Sequence, residues 1–211
     1  MIREHFLPLP VIGLAEGVSF YRPVQDLPER VTLESPALDV MTDLKHLQAQ
    51  TIEPEASVET ANAKMIRQGV RLLLVTDPQE HILGLITATD ILGEHLVQAM
   101  HARGVSRQEV LVHEIMTPRE RLEAIDIIEV RAAKVGHILS TLKQAGRQHS
   151  IVVEVHKLTF QERLSVLART TSTQTVCGLF STTQIARQLG LHLHSAELAT
   201  TFAEVEALIG H

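Results

Sequence analysis

Residues 84–90, Gly-Leu-Ile-Thr-Ala-Thr-Asp, are the stretch around which the rest of the chain is organised. The first half of this stretch reads as a buried strand, and oxygen-bearing side chains follow at Thr87, Thr89 and Asp90, where a helix is predicted to begin. A looser copy stands at residues 178–184, Gly-Leu-Phe-Ser-Thr-Thr-Gln. Two strand-to-helix junctions with the same hydroxyl spacing indicate a duplicated unit.

The duplication extends to both sides of these junctions. Val58 and Val135 lie in predicted helices 77 positions apart, and Gly69 and Gly146, at the same separation, stand where a left-handed glycine would end each helix. The two junctions are 94 positions apart, so the second copy carries 17 extra residues between its last two strands. We expect this insert near residues 155–174.

Capping patterns predict where the first helices begin. Ser35 followed by Pro36 predicts a short helix with the serine as its N-cap, and Ser57 is predicted to cap the next helix. A further helix is predicted to begin at Thr89 and to continue without a break through Met100.

Three later segments are also predicted to be helical. A capping box at residues 106–109 begins a connecting helix that runs into residues 114–117. Inside the insert, a capping box at residues 159–162 predicts a helix through about residue 168, with a long β-hairpin as the alternative. An apolar stripe at helical spacing predicts a final helix over residues 195–209.

Composition places the chain among the soluble globular proteins. Of its 211 residues 45% are hydrophobic, which argues against disorder. A net charge of −6 and 3% aromatic residues provide neither the basic field nor the stacking surface typical of nucleic-acid binding. No run reaches the ~18 apolar residues that span a bilayer, and the N-terminus lacks a continuous signal-peptide core. We expect a cytoplasmic protein with no nucleic-acid or membrane partner.

Catalytic and metal sites are not expected. The single cysteine, Cys177, lies in an apolar run, which indicates a packed core thiol. Twelve histidines are many for this length, and His192 and His194 alternate, but two imidazoles need a further ligand, so scattered histidines are favoured over a metal site. The sequence has no Gly-x-x-x-x-Gly-Lys-Ser/Thr loop, no Gly-x-Ser-x-Gly and no Cys–His signature, so we expect no enzyme activity.

Several short motifs occur in the same order along the chain. They are Val-Met-Thr at residues 40–42, Leu-Leu-Leu-Val-Thr-Asp at 72–77, the junction at 84–90 leading into Ile-Leu, and Ile-Met-Thr at 115–117. In this order, with the second junction, they resemble a tandem pair of cystathionine β-synthase (CBS) domains. The resemblance covers roughly residues 36–190 and suggests a stand-alone regulatory module of bacterial type.

This resemblance implies an α/β (α+β) fold of two CBS-type units, each a small three-stranded sheet with two helices, packed about a pseudo-twofold. The units would span residues 36–104 and 105–190, between a lead-in of residues 1–35 and a C-terminal helical tail of residues 191–211. In that family, such pairs form clefts that commonly bind adenosine-containing ligands. They usually act as sensors, frequently form homodimers and are rarely catalytic.

The resemblance also implies a ligand site in the first unit. Asp90 stands at the family's ribose-binding position, where an ionised carboxylate can accept hydrogen bonds from both ribose hydroxyls. The other matching positions are Thr87 and Thr89 for hydroxyl contacts, Leu85 on the strand beside the base, Thr51 and Ile52 in the segment that meets adenine, and Arg71 facing phosphate. The alternative is that residues 87–90 only cap a helix and that Arg71 is a solvated strand end.

The second unit departs from the family pattern. Ser181 and Thr183 keep hydroxyl groups, but Gln184 replaces the carboxylate, and Gln148 and His149 occupy the region that faces phosphate in the first unit. A neutral amide cannot supply the ionic part of a ribose contact, worth ~1–2 kcal/mol. We therefore expect a second cleft that is empty, weak or altered.

Together these inferences predict a regulatory ligand-sensing module. It would require no cofactor and would bind an adenine nucleotide, AMP or ATP, in the cleft of the first unit. It would signal through a change in conformation or assembly, as a homodimer or on a separate regulated protein. The alternative is a ligand-free structural or dimerisation module in which both clefts are vestigial.

Overall fold

The computed structural model describes residues 8–20, 27–157 and 172–191, which form a mixed α/β fold. The strands are β1 Ile12–Gly13, β2 Ser19–Phe20, β3 Thr42–Asp43, β4 Thr51–Ile52, β5 Leu72–Thr76, β6 Ile82–Thr87, β7 Thr117–Pro118, β8 Glu123–Asp126, β9 His149–Lys157 and β10 Ser172–Ser181. The helices are α1 Val58–Gln68, α2 Ala88–Leu92, α3 Glu94–Arg103, α4 Val112–Ile115, α5 Ile127–Ala132, α6 Val135–Gln144 and α7 Thr182–Gln188. Three 3-10 helices span Ala37–Val40, Arg107–Glu109 and Arg119–Arg121.

The chain forms two compact units, each named here by the residue at its strand-to-helix junction. The Asp90 unit comprises residues 13–19 and 48–122. The Gln184 unit comprises the described residues of 1–12, 20–47 and 123–211. The boundaries of these units differ from those of the two sequence repeats, because each sheet includes one strand from the other repeat.

In the Asp90 unit the sheet has the order β4-β5-β6-β7. The strands β4 and β5 are parallel, while β5 and β6, and β6 and β7, are antiparallel. In the Gln184 unit, β8 and β9 are likewise parallel, β10 is antiparallel to β9, and β3 is antiparallel to β10. The short strands β1 and β2 lie at the two ends of this second sheet, beside β8 and β10.

Each sheet is completed by a strand from the other sequence repeat. The Ile-Met-Thr segment of the second repeat supplies β7, where Thr117 pairs with Leu85. The Val-Met-Thr segment of the first repeat supplies β3, where Thr42 pairs with Leu179. The predicted three-stranded sheets are therefore present, and each is extended by this exchanged strand.

Each unit has its own aliphatic core. In the Asp90 unit, alternate residues of the strands pack against the buried face of α1, which presents Val58, Ala61 and Met65. In the Gln184 unit, the buried face of α6 and the fully buried Phe180 of β10 join the corresponding core. Cys177 belongs to this core, and burial raises the pKa of its thiol to about 12, as expected for a packed and unreactive cysteine.

Three predicted helix ends are confirmed. The Thr60 N–H donates to Ser57 Oγ over 3.2 Å, so Ser57 caps α1. Gly69 ends this helix with φ 63°, a left-handed conformation that glycine adopts without strain, and Gly146 has φ 62° after α6. The capping box at Ser106 and Glu109 is also present.

The predicted start of the first short helix is wrong. Pro36, not Ser35, is the N-cap of the 3-10 helix Ala37–Val40, and Ser35 Oγ instead accepts a hydrogen bond from the Thr32 N–H at 2.9 Å. The Ala37 N–H donates to the Ala133 carbonyl at 3.0 Å. This long-range bond replaces the local cap.

Two helices predicted to be continuous are interrupted. Gly93 is extended, with φ −101° and ψ −167°, so the helix that follows the first junction divides into α2 and α3. Its first part begins at Ala88 rather than Thr89, with Thr87 as the N-cap. The connecting helix divides at Val110, whose carbonyl accepts the Val58 N–H at 3.0 Å. Pairing with the start of α1 pulls this part of the chain into an extended conformation.

The insert separates the two longest strands, β9 and β10. They pair from Ser181 opposite His149 to Ser172 opposite Lys157, with a bulge between Val176 and Gly178. The predicted insert helix and the predicted final helix lie outside the described residues, as do His192 and His194.

Candidate functional site

The junction of the Asp90 unit is a capping box. The Thr87 N–H and hydroxyl donate to Asp90 Oδ2 at 2.8 and 2.7 Å, and the Asp90 N–H returns a bond of 3.3 Å to Thr87 Oγ1. Thr87 and Asp90 therefore do cap a helix, but the cap uses only one oxygen of the Asp90 carboxylate. Asp90 Oδ1 accepts no hydrogen bond within the described residues, and His95 Nδ1 lies 3.7 Å from it. The Asp90 side chain is 14% exposed, and its two bonds from Thr87 hold the carboxylate in place.

Arg71 lies at the same end of the sheet. Its carbonyl accepts the Ala88 N–H at 2.9 Å, and the next residue, Leu72, pairs with Thr87. Arg71 Nε is buried and has no hydrogen-bond partner within the described residues. Leaving a buried charged donor unpaired is costly, so this position favours an acceptor from outside the chain. The structure brings Arg71, Thr87 and Asp90 together.

A cross-strand row connects this junction to β4. Thr51, Leu74, Leu85 and Thr117 are paired in register across the four strands. Because paired residues project from the same face and alternate residues share it, Thr51, Leu85 and Thr87 lie on one face of the sheet.

Ile52 lies on the other face of the sheet, within the core cluster of the Asp90 unit. Its side chain therefore points away from the Thr51 face, and Ile52 can offer only its backbone to a ligand there. Thr89 is exposed on α2.

Two polar residues that contact the cross-strand row were missed from the sequence. Thr117 reaches the row because β7 is supplied by the second repeat. Lys64, on α1, donates from Nζ to the Thr51 carbonyl at 2.6 Å. A lysine between the buried positions Ala61 and Met65 was the available signal, but its spacing does not identify its partner.

At the second junction the corresponding polar groups bond within the protein. The Thr42 hydroxyl donates to Gln184 Oε1 at 3.1 Å, and Gln184 Nε2 donates to the Val40 carbonyl at 3.4 Å. Gln188, only 3% exposed, donates to the carbonyls of Pro28 and Asp39 at 2.7 and 3.0 Å. The amide of Gln184 is thus used to hold the Val-Met-Thr segment.

The remaining residues of the second site keep the backbone arrangement of the first. The Gln148 carbonyl accepts the Thr182 N–H at 2.9 Å, as the Arg71 carbonyl accepts Ala88. His149 pairs with Ser181, which is the N-cap of α7 but makes no side-chain capping bond. Thr183 is half-buried on α7. Equivalent backbones therefore carry different side-chain chemistry.

Neither a metal cluster nor a membrane span is found in the part of the chain that the structure describes. There, no group of three or more His, Cys, Asp or Glu side chains is arranged to hold a metal ion. Within the same residues, no helix has the length and apolar character needed to cross a bilayer.

Comparison with known proteins agrees with this architecture. Residues 37–96 match the family model described as CBS domain. No curated protein matches the chain.

The fold is similar to that of an uncharacterized conserved protein from Pyrococcus horikoshii, with 17% identity, 79% of this chain and 100% of that chain covered, and a TM-score of 0.50. A CBS-domain containing protein from Agrobacterium tumefaciens has 16% identity, 68% and 86% coverage, and a TM-score of 0.46. A structure of CBSX2 in complex with AMP has 16% identity, 72% and 94% coverage, and a TM-score of 0.46. At these identities the likeness concerns the fold alone.

Proposed function

We propose that this chain, whose residues 37–96 match the CBS-domain model, is a regulatory module whose Asp90 unit binds an adenosine-containing nucleotide, AMP or ATP. Binding changes its conformation or assembly, either as a homodimer or toward a separate regulated protein. The observation that carries the proposal is that, within the described residues, one oxygen of the Asp90 carboxylate and the Nε of Arg71 have no hydrogen-bond partner and belong to the same end of the sheet. A ribose 5′-phosphate supplies hydroxyl donors for the first and anionic acceptors for the second.

Each candidate residue then has a definite role. The ribose hydroxyls donate to Asp90, whose geometry the Thr87 cap fixes before the ligand arrives. Thr89 and Thr87 lie beside the sugar and phosphate, and the Arg71 guanidinium contacts phosphate oxygens. Leu85 supplies apolar contact for the base, while Thr51 and Ile52 contribute β4.

The Gln184 unit is proposed as the weaker cleft. Gln184 is bonded to Thr42 and Val40, so a ligand there would have to displace bonds that the protein makes with itself. The ligand would also meet Gln148, His149, Ser181 and Thr183 without a carboxylate among them. We therefore expect about one tight site per chain.

The test is calorimetric titration with AMP, ADP and ATP of the wild type, Asp90→Asn and Glu109→Gln. Asparagine can still accept the Thr87 N–H, so Asp90→Asn removes charge while keeping an acceptor for the cap. Glu109→Gln is a matched control, because Glu109 Oε2 accepts the Ser106 N–H and hydroxyl at 3.0 and 2.6 Å in another capping box.

We expect one nucleotide per wild-type chain, an affinity at least about tenfold lower for Asp90→Asn, and an unchanged affinity for Glu109→Gln. An equal loss in both variants would reduce Asp90 to a helix cap. Two equally tight sites per chain would contradict the proposed difference between the units.

A second candidate is a ligand-free dimerisation module. It is favoured by two large apolar side chains on the Asp90 unit, Ile66 of α1 and Leu92 of α2, which are 72% and 70% exposed. Exposed apolar surface of this kind often marks a protein interface. A dimer by analytical ultracentrifugation, together with a thermal midpoint that none of the three nucleotides raises, would select this function.

A further inference from the structure

At the outer edge of β4, a backbone carbonyl accepts a hydrogen bond from a lysine side chain. The Gln50 carbonyl accepts the Leu74 N–H of β5 at 2.9 Å, so the next carbonyl along the strand, that of Thr51, points away from β5. β4 ends the sheet, and its only strand neighbour within the described residues is β5. Lys64 Nζ donates to this Thr51 carbonyl at 2.6 Å, in half-buried surroundings.

The equivalent edge in the Gln184 unit is closed differently. Thr141 stands 77 positions after Lys64, and its hydroxyl donates to the His137 carbonyl at 2.9 Å while accepting the Leu9 N–H at 3.0 Å. The strand β1 lies beside β8 on that edge. A strand of the chain, β1, therefore pairs with the edge strand β8, whereas the edge strand β4 is bonded by the Lys64 side chain.

We propose that Lys64 is a specificity-determining residue of the base subsite, which it controls by competing for the Thr51 carbonyl. This inference rests on the proposed function, in which β4 meets the base. Adenine offers its exocyclic amine as a donor to a backbone carbonyl, and the Lys64 ammonium already takes one of the two lone pairs of the Thr51 oxygen. A 6-amino base must either share that oxygen with a charged donor or displace the lysine, and both weaken its binding.

A 6-oxopurine meets the same position with the opposite polarity. Its O6 is an acceptor, and an ammonium that gives one N–H to Thr51 keeps two more to donate. Lys64 therefore weakens binding of the 6-amino base and tolerates the 6-oxo base. Its removal frees the carbonyl for adenine and takes the donor away from the oxo group.

The test compares the affinities of AMP and inosine 5′-monophosphate, which share ribose and phosphate and differ in the group at C6 of the purine. They are measured by calorimetry on the wild type, Lys64→Met, Lys64→Arg and Arg67→Met. Arg67 is exposed on the same helix, so Arg67→Met removes one nearby positive charge without touching Thr51. Long-range attraction to phosphate acts equally on both nucleotides and cancels in their ratio.

We expect Lys64→Met to raise the affinity ratio of AMP to inosine monophosphate about tenfold. Lys64→Arg, which keeps a donor, and Arg67→Met should leave the ratio within about twofold of wild type. If both nucleotides bind and Lys64→Met leaves the ratio unchanged or lowers it, Lys64 only satisfies a strand edge and the inference is overturned. If no variant and no wild-type protein binds either nucleotide, the proposed function itself is overturned.

Discussion

The two strand-to-helix junctions have the same backbone and opposite side-chain bonding. In the first, Asp90 bonds back to Thr87 through Oδ2, and its Oδ1 accepts no hydrogen bond within the described residues. In the second, Gln184 reaches the Val-Met-Thr segment, accepting from Thr42 and donating to Val40. A carboxylate has no donor for a carbonyl, whereas an amide has two, so this one difference determines which groups of the protein each junction can bond.

The cross-strand rows extend this contrast. In the Asp90 unit the row is Thr51, Leu74, Leu85 and Thr117; in the Gln184 unit it is Ala124, Ile151, Leu179 and Thr42. The threonine contributed by the exchanged strand is kept in both units, but only Thr42 finds an amide to bond. Duplicated topology has therefore been retained while the polar groups on it have taken different uses.

The largest loss of stability is expected from alanine substitutions at the two glycines that the exchanged strands β7 and β3 pack against. A Cβ on Gly84 would lie 2.5 Å from the Thr117 carbonyl oxygen, whereas one on Gly178 would meet the Met41 side chain, with Sδ at 2.6 Å. Backbone cannot move without breaking the β6–β7 pairing, but a methionine can change rotamer. We expect Gly84→Ala to lower the free energy of unfolding by about 2–3 kcal/mol and Gly178→Ala by about 1 kcal/mol, measured by urea denaturation.

Gly13→Ala serves as the control for this pair, because a Cβ there meets nothing within 4 Å. It should change the free energy of unfolding by less than about 0.5 kcal/mol. Equal losses in Gly84→Ala and Gly178→Ala would show that the two exchanged strands are held equally rigidly, against the difference in their contacts.

An intermediate effect is expected from making the second junction like the first. Gln184→Asp shortens the side chain and places a carboxylate near the Val40 carbonyl that Gln184 Nε2 now donates to. We expect a loss of about 1–2 kcal/mol in the free energy of unfolding and no second AMP site by calorimetry. The neighbouring cleft residues would still lack a counterpart of Arg71.

Thr42→Val is the matched variant for this substitution, because it removes the hydroxyl that donates to Gln184 Oε1 at 3.1 Å. Combined with Gln184→Asp it completes a double-mutant cycle for the pair. A second tight AMP site in Gln184→Asp would mean that this residue alone separates the two clefts.

The repeated local pattern predicted the fold because each junction, cap and turn is specified within a few residues. Ser57 and Gly69 define α1 from the sequence, and the glycine-led junctions define β6 and β10. The exchange of β3 and β7 was not predictable in this way, since a two-residue strand has no periodicity and its partner lies far along the chain.

The site was predictable in composition but not in bonding. Sequence position identifies Asp90 and Arg71, but whether Asp90 Oδ1 and Arg71 Nε are left without bonds depends on rotamers and packing. Lys64 was missed because its partner is a backbone carbonyl, which no side-chain pattern reveals. Gln184 as a weakened ligand residue stays a prediction; its bonds to Thr42 and Val40 depend on the exchanged strand and could not be read from the sequence.

The smallest effect concerns the carboxyl group that stabilises α4 in the Asp90 unit. Glu114 Oε2 accepts the Leu111 N–H at 2.7 Å, and Arg103 Nη1 donates to both carboxylate oxygens at 2.6 Å. The Leu111 bond, and then Arg103, outweigh burial and lower the pKa of Glu114 below its usual 4.5. A lowered pKa in the folded state means that this contribution is complete above about pH 4.5 and is lost as the pH falls through the folded value.

We therefore expect Glu114→Gln to lower the free energy of unfolding by about 1 kcal/mol at pH 7, and by progressively less below pH 4.5, measured by urea denaturation across the pH range. Asp39 occupies the corresponding position in the Gln184 unit, 75 positions earlier, and its side chain makes no hydrogen bond within the described residues. Asp39→Asn should change the free energy of unfolding by less than about 0.5 kcal/mol. A pH-independent loss in Glu114→Gln would assign the effect to packing rather than charge, because only an ionised carboxylate loses its contribution on protonation.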